Sequence, residues 1–91
     1  MTDTIARRVV AHGRVQGVFF RDQTRREAVR RGIVGWVRNC ADGTVEAHFE
    51  GSTEGVAAMV RWCQEGPRHA DVSDLRVSET EPEGLDGFSI R

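Results

Sequence analysis

The segment between residues 33 and 50 constrains the fold most, because it predicts a β-hairpin in the middle of the chain. Ile33 to Cys40 and Thr44 to Glu50 both contain the β-branched and aromatic residues that strands favour. Between them, Ala41-Asp42-Gly43 supplies a turn in which the glycine can adopt a positive φ. Apolar and polar residues alternate in the second strand, which predicts one buried face and one hydrated face carrying Glu46, His48 and Glu50.

Further strands and two helices are predicted on either side of this hairpin. Residues 21–31 are good helix formers, and Gly32 behind them is a natural C-cap. A second helix is indicated by apolar residues at i, i+3, i+4 and i+7 from Val56, with Ser52 or Thr53 as its N-cap and Gly66-Pro67 as its stop. The remaining strands are predicted over residues 5–12, 72–79 and 88–90, the last as a short edge strand.

The element order β-α-β-β-α-β, with a short strand appended, predicts an α+β fold of the ferredoxin-like, split βαβ plan. Two helices cover one face of an antiparallel sheet in this sandwich, and we expect residues 1–91 to form a single domain. A right-handed crossover makes strands one and two parallel, with strand three between them. The loop at 13–18 and Asn39 therefore meet at one edge of the sheet, about 10 Å apart.

Composition excludes several classes of partner. Thirteen Lys and Arg against fourteen Asp and Glu give a net charge of −1, so no global basic field attracts a nucleic acid or an anionic membrane. The longest apolar runs span a few residues, far short of the ~20 that cross a bilayer. Met1-Thr2-Asp3-Thr4 leads into no apolar stretch, so we expect no secretory signal and a cytoplasmic location. We also expect a monomer.

Neither the cysteines nor the histidines suggest a metal centre. Cys40 and Cys63 form no CxxC arrangement, and the chain's histidines show no ligand spacing to each other or to the thiols: His12, His48 and His69. We expect two free thiols and no bound metal.

The loop Gly13-Arg14-Val15-Gln16-Gly17-Val18 joins the first strand to the first helix and is a candidate anion site. Main-chain N–H groups at a helix N-terminus lack partners, and the helix dipole is positive there. Two glycines would let the amides of residues 14–18 curl around a phosphate, although a plain β-to-α turn also fits the pattern. Arg21 follows in the first helical turn, where a cation is unfavourable unless an anion completes the site. Its planar guanidinium can hold two phosphate oxygens at once.

Asn39 is the second candidate, at the end of the second strand. Its amide can accept from a water and donate to an oxyanion, or it can bond to its own turn. His12, just before the loop, could add charge or accept a proton, or it could be a surface strand residue. Five arginines against Asp22 and Glu27 give the first helix a net charge of +3, with no assigned role beyond raising the local anion concentration.

Three blocks of the sequence resemble the acylphosphatase family. The first runs from Gly13 to Arg21, the second from Gly32 to Asn39 with Asp42-Gly43-Thr44-Val45 behind it, and the third from Phe88 to Arg91. The first two blocks are highly specific together, and the resemblance extends over nearly the whole chain. The family's small size and ferredoxin-like fold agree with the predicted plan.

This resemblance implies an acylphosphate phosphohydrolase, which splits a small-molecule acyl phosphate into carboxylate and inorganic phosphate without a cofactor. It also implies that Arg21 binds the phosphate together with the loop amides of residues 14–18 (Arg14, Val15, Gln16, Gly17, Val18), and that Asn39 orients the attacking water. An acyl phosphate already carries a good leaving group, so binding its phosphoryl oxygens and placing water in line are the main requirements. The substrate's own phosphate oxygen could take the proton.

The alternative function is a non-catalytic module of the same fold, either an anion sensor or an RNA-binding domain. RNA recognition needs aromatic residues on an open sheet face, whereas tyrosine is absent and strand three carries charge there. A segment of a larger carbamoyl-transfer protein is also conceivable, but we expect 91 residues to leave no room for the other domains.

Overall fold

The computed structural model describes residues 3–91, and its elements follow the predicted order. Met1 and Thr2, on which part of the expectation about the N-terminus rests, lie outside this range. The elements are β1 (Ile5–Arg14), α1 (Phe20–Arg30), β2 (Val34–Asn39), β3 (Val45–Gly51), α2 (Thr53–Glu65), β4 (Asp71–Thr80) and β5 (Phe88–Ile90). No helix in the described range is long and apolar enough to span a membrane.

The strands form one mixed sheet in the order β4-β1-β3-β2-β5. β3 lies between β1 and β2 and is antiparallel to both, as the right-handed crossover predicts. β4 is antiparallel to β1 at one edge, whereas β5 is parallel to β2 at the other. The ferredoxin-like plan is confirmed, and the sheet is mixed because the short C-terminal strand runs parallel to its neighbour.

Local sequence signals set the ends of both helices. After α1, Gly32 has φ 69°, and its N–H and that of the next residue bond back to carbonyls of the last helical turn. α2 begins after Ser52, whose hydroxyl oxygen accepts a hydrogen bond from the N–H of Gly55 at 3.0 Å. Gly66, at φ 76°, ends α2 before the proline. Both caps therefore lie where the sequence predicts them.

The apolar core lies between the sheet and the two helices. Phe49 on β3 and Met59 on α2 are its largest fully buried apolar side chains. Phe20, the first residue of α1, is buried and meets the Trp62 ring edge-on at a centroid distance of 6.0 Å. This contact holds the N-terminal end of α1, and hence the loop before it, against the core.

The polar face of β3 is also buried, so the prediction that it faces solvent is wrong. The exposed fractions of Glu46, His48 and Glu50 are 4%, 2% and 2%. Because β3 is the central strand, long side chains from both neighbouring strands reach over this face. The Arg8 guanidinium on β1 and the Arg38 guanidinium on β2 both bond to the carboxylate of Glu46. The alternation correctly predicts that the three polar side chains share a face, but the guanidinium groups of two arginines cover part of that face where solvent was expected.

Residues 81–87, which we call the strap, cross the same face between β4 and β5. The Glu50 carboxylate accepts hydrogen bonds from the main-chain N–H groups of Glu83 and Leu85 and lies 2.6 Å from Nε2 of His48. Trp36 stacks on the His48 ring at a centroid distance of 5.8 Å, so it packs on this face and not in the core between sheet and helices. The strap therefore completes the burial of a charged layer.

Candidate active site

A cavity of about 440 Å³ opens where the loop after β1, the first turn of α1, the end of β2 and the end of β5 come together. Its lining combines two polar side chains predicted from the sequence, one further carboxylate and a set of apolar residues: Arg21, Asn39, Asp22, Val15, Gly17, Phe19, Phe20 and Ile90. The predicted meeting of the loop with Asn39 at one edge of the sheet is thus what the structure shows.

The two glycines of the loop serve different purposes. Gly13 lies inside β1 at a bulge in the pairing with β4, and a Cβ there would come within 2.2 Å of the Asp71 carbonyl oxygen. Gly17 has φ 74° with open space around it, so it supplies a left-handed turn inside the loop. The expectation that both glycines shape the anion loop is wrong for Gly13, which is needed for close approach between strands, whereas the conformation of Gly17 is compatible with it.

The loop proper is shorter than predicted, since β1 extends to Arg14, which pairs with Asp71. From Val15 to Phe19, no main-chain N–H donates to a carbonyl within residues 3–91. α1 begins without a side-chain cap, so its first N–H groups are not covered by a capping oxygen either. The loop and helix end therefore present a row of free donors beside the cavity.

Side chains of the loop fix it from behind. Val15 and Val18 are buried in the core, and the Gln16 side chain donates to the carbonyls of Cys40 and Thr44 at 2.8 and 2.9 Å. Val15 and Gly17 line the cavity, whereas Arg14, Gln16 and Val18 are not among its lining residues. The loop is therefore tied to the β2–β3 hairpin through a side chain, and its main chain stays unpaired.

The hairpin that receives Gln16 is itself held by Asp42. Its carboxylate accepts hydrogen bonds from the hydroxyl of Thr44 at 2.6 Å and from the N–H of Thr44 at 3.1 Å. The hydroxyl, followed by the main-chain N–H, lowers the pKa of Asp42 below its usual value. The turn thus carries an ionised carboxylate that braces the strand end next to Asn39.

Arg21 lies in the first turn of α1 and lines the cavity. Within the described residues its guanidinium has no carboxylate within salt-bridge distance, in contrast to Arg26, Arg30 and Arg31, which pair with carboxylates of the same helix. A half-buried, unpaired guanidinium at a helix N-terminus is the arrangement that the sequence argument required for an anion site.

Asn39 is the last residue of β2 and has the same strand parity as Val37, which places it on the helix-bearing face. Its side-chain amide makes no hydrogen bond to another protein group in the part of the chain described. The turn-bonding alternative is therefore not what the structure shows. Arg21 and Asn39 enter one cavity from different elements, each with its polar groups free.

His12, the remaining site candidate from the sequence, and the two cysteines lie apart from this cavity. His12 has the strand parity of Val10, on the helix-free face, and is absent from the lining. Cys40 is half-buried and does not line the cavity either, while Cys63 is buried on the inner face of α2. Both thiols are free. No group of three or more His, Cys, Asp or Glu residues between positions 3 and 91 is placed to hold a metal ion.

Comparison with known proteins assigns the chain. The Acylphosphatase family model matches residues 7–90. The chain belongs to the acylphosphatase family. A protein named acylphosphatase from Haloquadratum walsbyi is 53% identical over 92 residues, covering 100% of this chain and 99% of that one.

Solved structures agree with this assignment. An acylphosphatase from Coxiella burnetii matches with a TM-score of 0.93 at 34% identity, covering 98% of this chain and 94% of that one. Full-length HypF, in its phosphate- and nucleotide-bound form, matches with a TM-score of 0.92 at 27% identity, covering all of this chain but 12% of the larger protein. The acylphosphatase fold thus also occurs as a small part of a longer chain.

Four residues of the acylphosphatase cavity were not singled out from the sequence: Phe19, Phe20, Asp22 and Ile90. Phe20 and Asp22 are the sequence neighbours of Arg21, so their closeness to it in the chain could have suggested them. Ile90 enters only because β5 pairs in parallel with β2, which sets it beside Val37, and no local signal specifies that pairing. Asp22 brings a carboxylate to the cavity, where Arg26 pairs with it at 3.1 Å.

Proposed function

We propose that this protein hydrolyses acyl phosphates, carboxyl-phosphate anhydrides, to a carboxylate and inorganic phosphate. The observation that carries the proposal is that Arg21 and Asn39, both without side-chain partners within residues 3–91, line one cavity with the unpaired loop amides. Family membership over residues 7–90 supports the same reaction. The substrate is therefore a small molecule with a phosphoryl group at one end and an organic acyl group at the other.

The phosphoryl group would bind between the loop and Arg21. Main-chain N–H groups of residues 15–19 and of the first helical turn supply several donors, and the positive end of the helix dipole adds to them. The Arg21 guanidinium would take two of the remaining oxygens. A lysine at this position would supply the charge without the paired geometry.

Asn39 would position the attacking water. Its carbonyl oxygen can accept from the water while its N–H₂ donates to a phosphoryl oxygen. The water oxygen attacks phosphorus in line, the bond to the bridging oxygen breaks, and the electron pair leaves with the carboxylate. The attacking oxygen keeps one proton of the water and the other passes to a non-bridging phosphoryl oxygen, so the products are a carboxylate and dihydrogen phosphate.

A separate protein base is not required by this scheme. Asp22 is the carboxylate that lines the cavity, but the Arg26 guanidinium neutralises it. The donors instead stabilise negative charge as it spreads over the phosphoryl oxygens, which is the main catalytic effect expected in phosphoryl transfer.

The RNA-binding alternative is disfavoured by the structure of the helix-free face. Trp36, the aromatic residue of β2 on that face, is only 8% exposed beneath Arg91, whose guanidinium carbon lies 4.8 Å from its ring centre. Base stacking needs an accessible ring. The argument from exposed charge on β3 no longer applies, because that charge is buried.

We further propose that residues 1–91 act as a single domain and a cytoplasmic monomer that binds neither nucleic acid nor membrane. Free thiols at Cys40 and Cys63 support a reducing compartment. Burial raises the pKa of the Cys63 thiol to about 12, which keeps it protonated and unreactive.

The test is phosphate release from acetyl phosphate in the presence of a chelator. We expect Arg21→Gln to lower kcat/KM by about 10²- to 10³-fold and to weaken inhibition by inorganic phosphate. Arg21→Lys should recover only part of the loss. We expect Asn39→Ala to lower kcat by a similar factor of about 10² while phosphate inhibition persists.

Arg30→Gln is the matched control, since Arg30 is an exposed arginine of the same helix that pairs with Glu27. It should retain wild-type turnover. A folded wild type that releases no phosphate, or an Arg21→Gln variant as active as Arg30→Gln, would contradict the proposal.

A further inference from the structure

Phe19 departs from what its position favours in three ways. It has φ 61° and ψ 25°, the left-handed region, and it is the non-glycine residue with positive φ in the range 3–91. It occupies the N-cap position of α1, where Ser, Thr, Asp or Asn normally bonds the helix end. Its ring is 76% exposed, the highest exposure recorded for a large hydrophobic residue in that range. A bulky side chain in this conformation costs free energy that packing does not return here.

Because α1 has no side-chain cap, the N–H groups of its first turn stay available to bind phosphate. An Asn or Ser at position 19 would tolerate the cap position well, but its oxygen would accept from the N–H of the second or third helical residue. Those N–H groups would then be lost to a substrate oxygen. Phenylalanine leaves them free, yet alanine would do so equally, so the large ring needs a separate explanation.

The lining of the cavity combines polar and apolar side chains. Arg21, Asp22 and Asn39 are the polar ones, and the apolar Val15 and Phe20 are buried. Phe19 and Ile90 are the apolar lining residues that remain exposed, at 76% and 43%. They come from two different elements, the N-cap of α1 and β5. An acyl phosphate likewise combines a charged phosphoryl group with an organic acyl group.

We propose that Phe19 and Ile90 form the acyl-group subsite and make the enzyme select acyl phosphates with a large apolar acyl group, aromatic or branched, over acetyl phosphate. This inference rests on the proposed function and extends it from the phosphate to the organic half of the substrate. A ring or branched chain covers the exposed faces of both side chains, and removing this apolar surface from water favours the larger substrate. An acetyl group is too small to reach both.

The surroundings of Phe19 make the proposal testable by substitution. The same ring also lines a neighbouring cavity of about 450 Å³, so no side chain packs tightly behind it. Truncation at Phe19 should therefore leave no void in the core. Ile90 is likewise nearly half exposed on a short edge strand, and its main-chain pairing with β2 does not depend on its side chain.

The experiment compares kcat/KM for benzoyl phosphate with kcat/KM for acetyl phosphate in the wild type, Phe19→Ala and Ile90→Ala. The ratio of the two values in a variant, divided by the wild-type ratio, cancels the intrinsic reactivity of the substrates. We expect Phe19→Ala to lower the ratio roughly tenfold and Ile90→Ala roughly threefold, through a higher KM for benzoyl phosphate. Phe19→Leu, which restores apolar surface, should recover most of the ratio.

Val29→Ala is the control, because Val29 is an apolar residue of α1 that is 57% exposed and does not line the cavity. It should keep the wild-type ratio. An unchanged ratio in both Phe19→Ala and Ile90→Ala, with acetyl phosphate still hydrolysed, overturns this inference alone. A folded wild type that hydrolyses neither substrate overturns the proposed function and this inference with it.

Discussion

Gln16 shows at the scale of one residue how a binding loop can be rigid while its main chain stays free. Free main-chain donors normally favour a mobile loop, because nothing fixes their direction. Here the side-chain amide reaches across to the hairpin and bonds two carbonyls, those of Cys40 and Thr44. From the sequence we expected Gln16 to contribute only its N–H. The structure shows that its side chain also fixes the loop to the hairpin.

Replacing Gln16 should therefore affect stability and substrate binding together. We expect Gln16→Ala to lower the free energy of unfolding by about 1–2 kcal/mol, since two hydrogen bonds at a half-buried position are lost. Gln16→Glu should cost more, because carboxylate oxygens would face two carbonyl oxygens. Both variants should raise KM for acetyl phosphate. Urea unfolding and steady-state kinetics measure the two effects.

The control for Gln16 is Gln64→Ala, an exposed glutamine of α2. Equal unfolding curves for Gln16→Ala and Gln64→Ala would show that the hydrogen bonds from Gln16 to the hairpin do not stabilise the fold.

Single residues also mark the limit of what sequence patterns predict. Arg21 was singled out as a cation at a helix start and Asn39 as an amide at a strand end, and the structure places both at one cavity. Ile90 has an ordinary local context, and only the parallel pairing of β5 brings it to the cavity. Phe19 carried a signal that could have been used, since a large apolar residue stands where a cap is expected.

At the scale of elements, β3 shows what the alternation of apolar and polar residues predicts about a strand. The alternation predicts which residues share a face, but not whether that face is exposed to solvent. The alternation correctly assigned Val45, Ala47 and Phe49 to the helix-bearing face. It could not show that the opposite face is covered, because the cover comes from arginines on two other strands and from the strap. Alternation fixes which side chains share a face, whereas the environment of that face is a property of the whole sheet.

The strap makes the stability of this face depend on pH through Glu50. Burial by itself raises the pKa of this carboxyl group, but the N–H of Glu83, His48 and the N–H of Leu85 outweigh it, so its pKa lies below the usual 4.5. A group with a lowered pKa stabilises the fold above its unfolded-state pKa and loses that contribution as the pH falls through the folded-state value. The stabilisation should therefore be complete near pH 7 and be lost progressively as the pH falls below the usual carboxyl pKa of 4.5.

We expect Glu50→Gln to unfold more easily at pH 7 by about 1–3 kcal/mol, because its amide replaces a charged acceptor of two N–H groups. At pH 3.5 the difference from the wild type should shrink, since this pH lies below 4.5 and the carboxyl group is largely protonated in the unfolded chain. Denaturant unfolding at both values measures this, with Glu65→Gln as an exposed control at the end of α2. If the difference in the free energy of unfolding between Glu50→Gln and the wild type is the same at both pH values, ionisation of Glu50 does not stabilise the fold.

At the scale of the whole molecule, charge is unevenly distributed although the total is −1. At and beyond the middle of α1, Arg26 pairs with Asp22, whereas Arg30 and the C-cap residue Arg31 share the single carboxylate of Glu27. Arg21 and Arg25 have no carboxylate partner within residues 3–91, and Arg25 bonds instead to the carbonyl of Phe88 at 3.2 Å. Two of the three surplus positive charges of this segment therefore belong to Arg21 and Arg25, in the half of the helix beside the cavity.

This concentration predicts a salt-dependent reaction. An anionic substrate approaching a net positive helix end is attracted over about one Debye length, which is about 10 Å at 0.1 M salt. We expect kcat/KM for acetyl phosphate to fall as the NaCl concentration rises. Arg25→Gln should lower kcat/KM about two- to threefold at low salt, which is less than the effect that a whole charged surface has on association rates. Arg25→Lys separates charge from the hydrogen bond to Phe88 and should behave as the wild type does. Arg30→Gln, at the end of the helix far from the cavity, should change neither the rate nor its salt dependence. If Arg25→Gln and Arg30→Gln respond alike, the field comes from the net charge of the helix and not from the local arrangement of its partners.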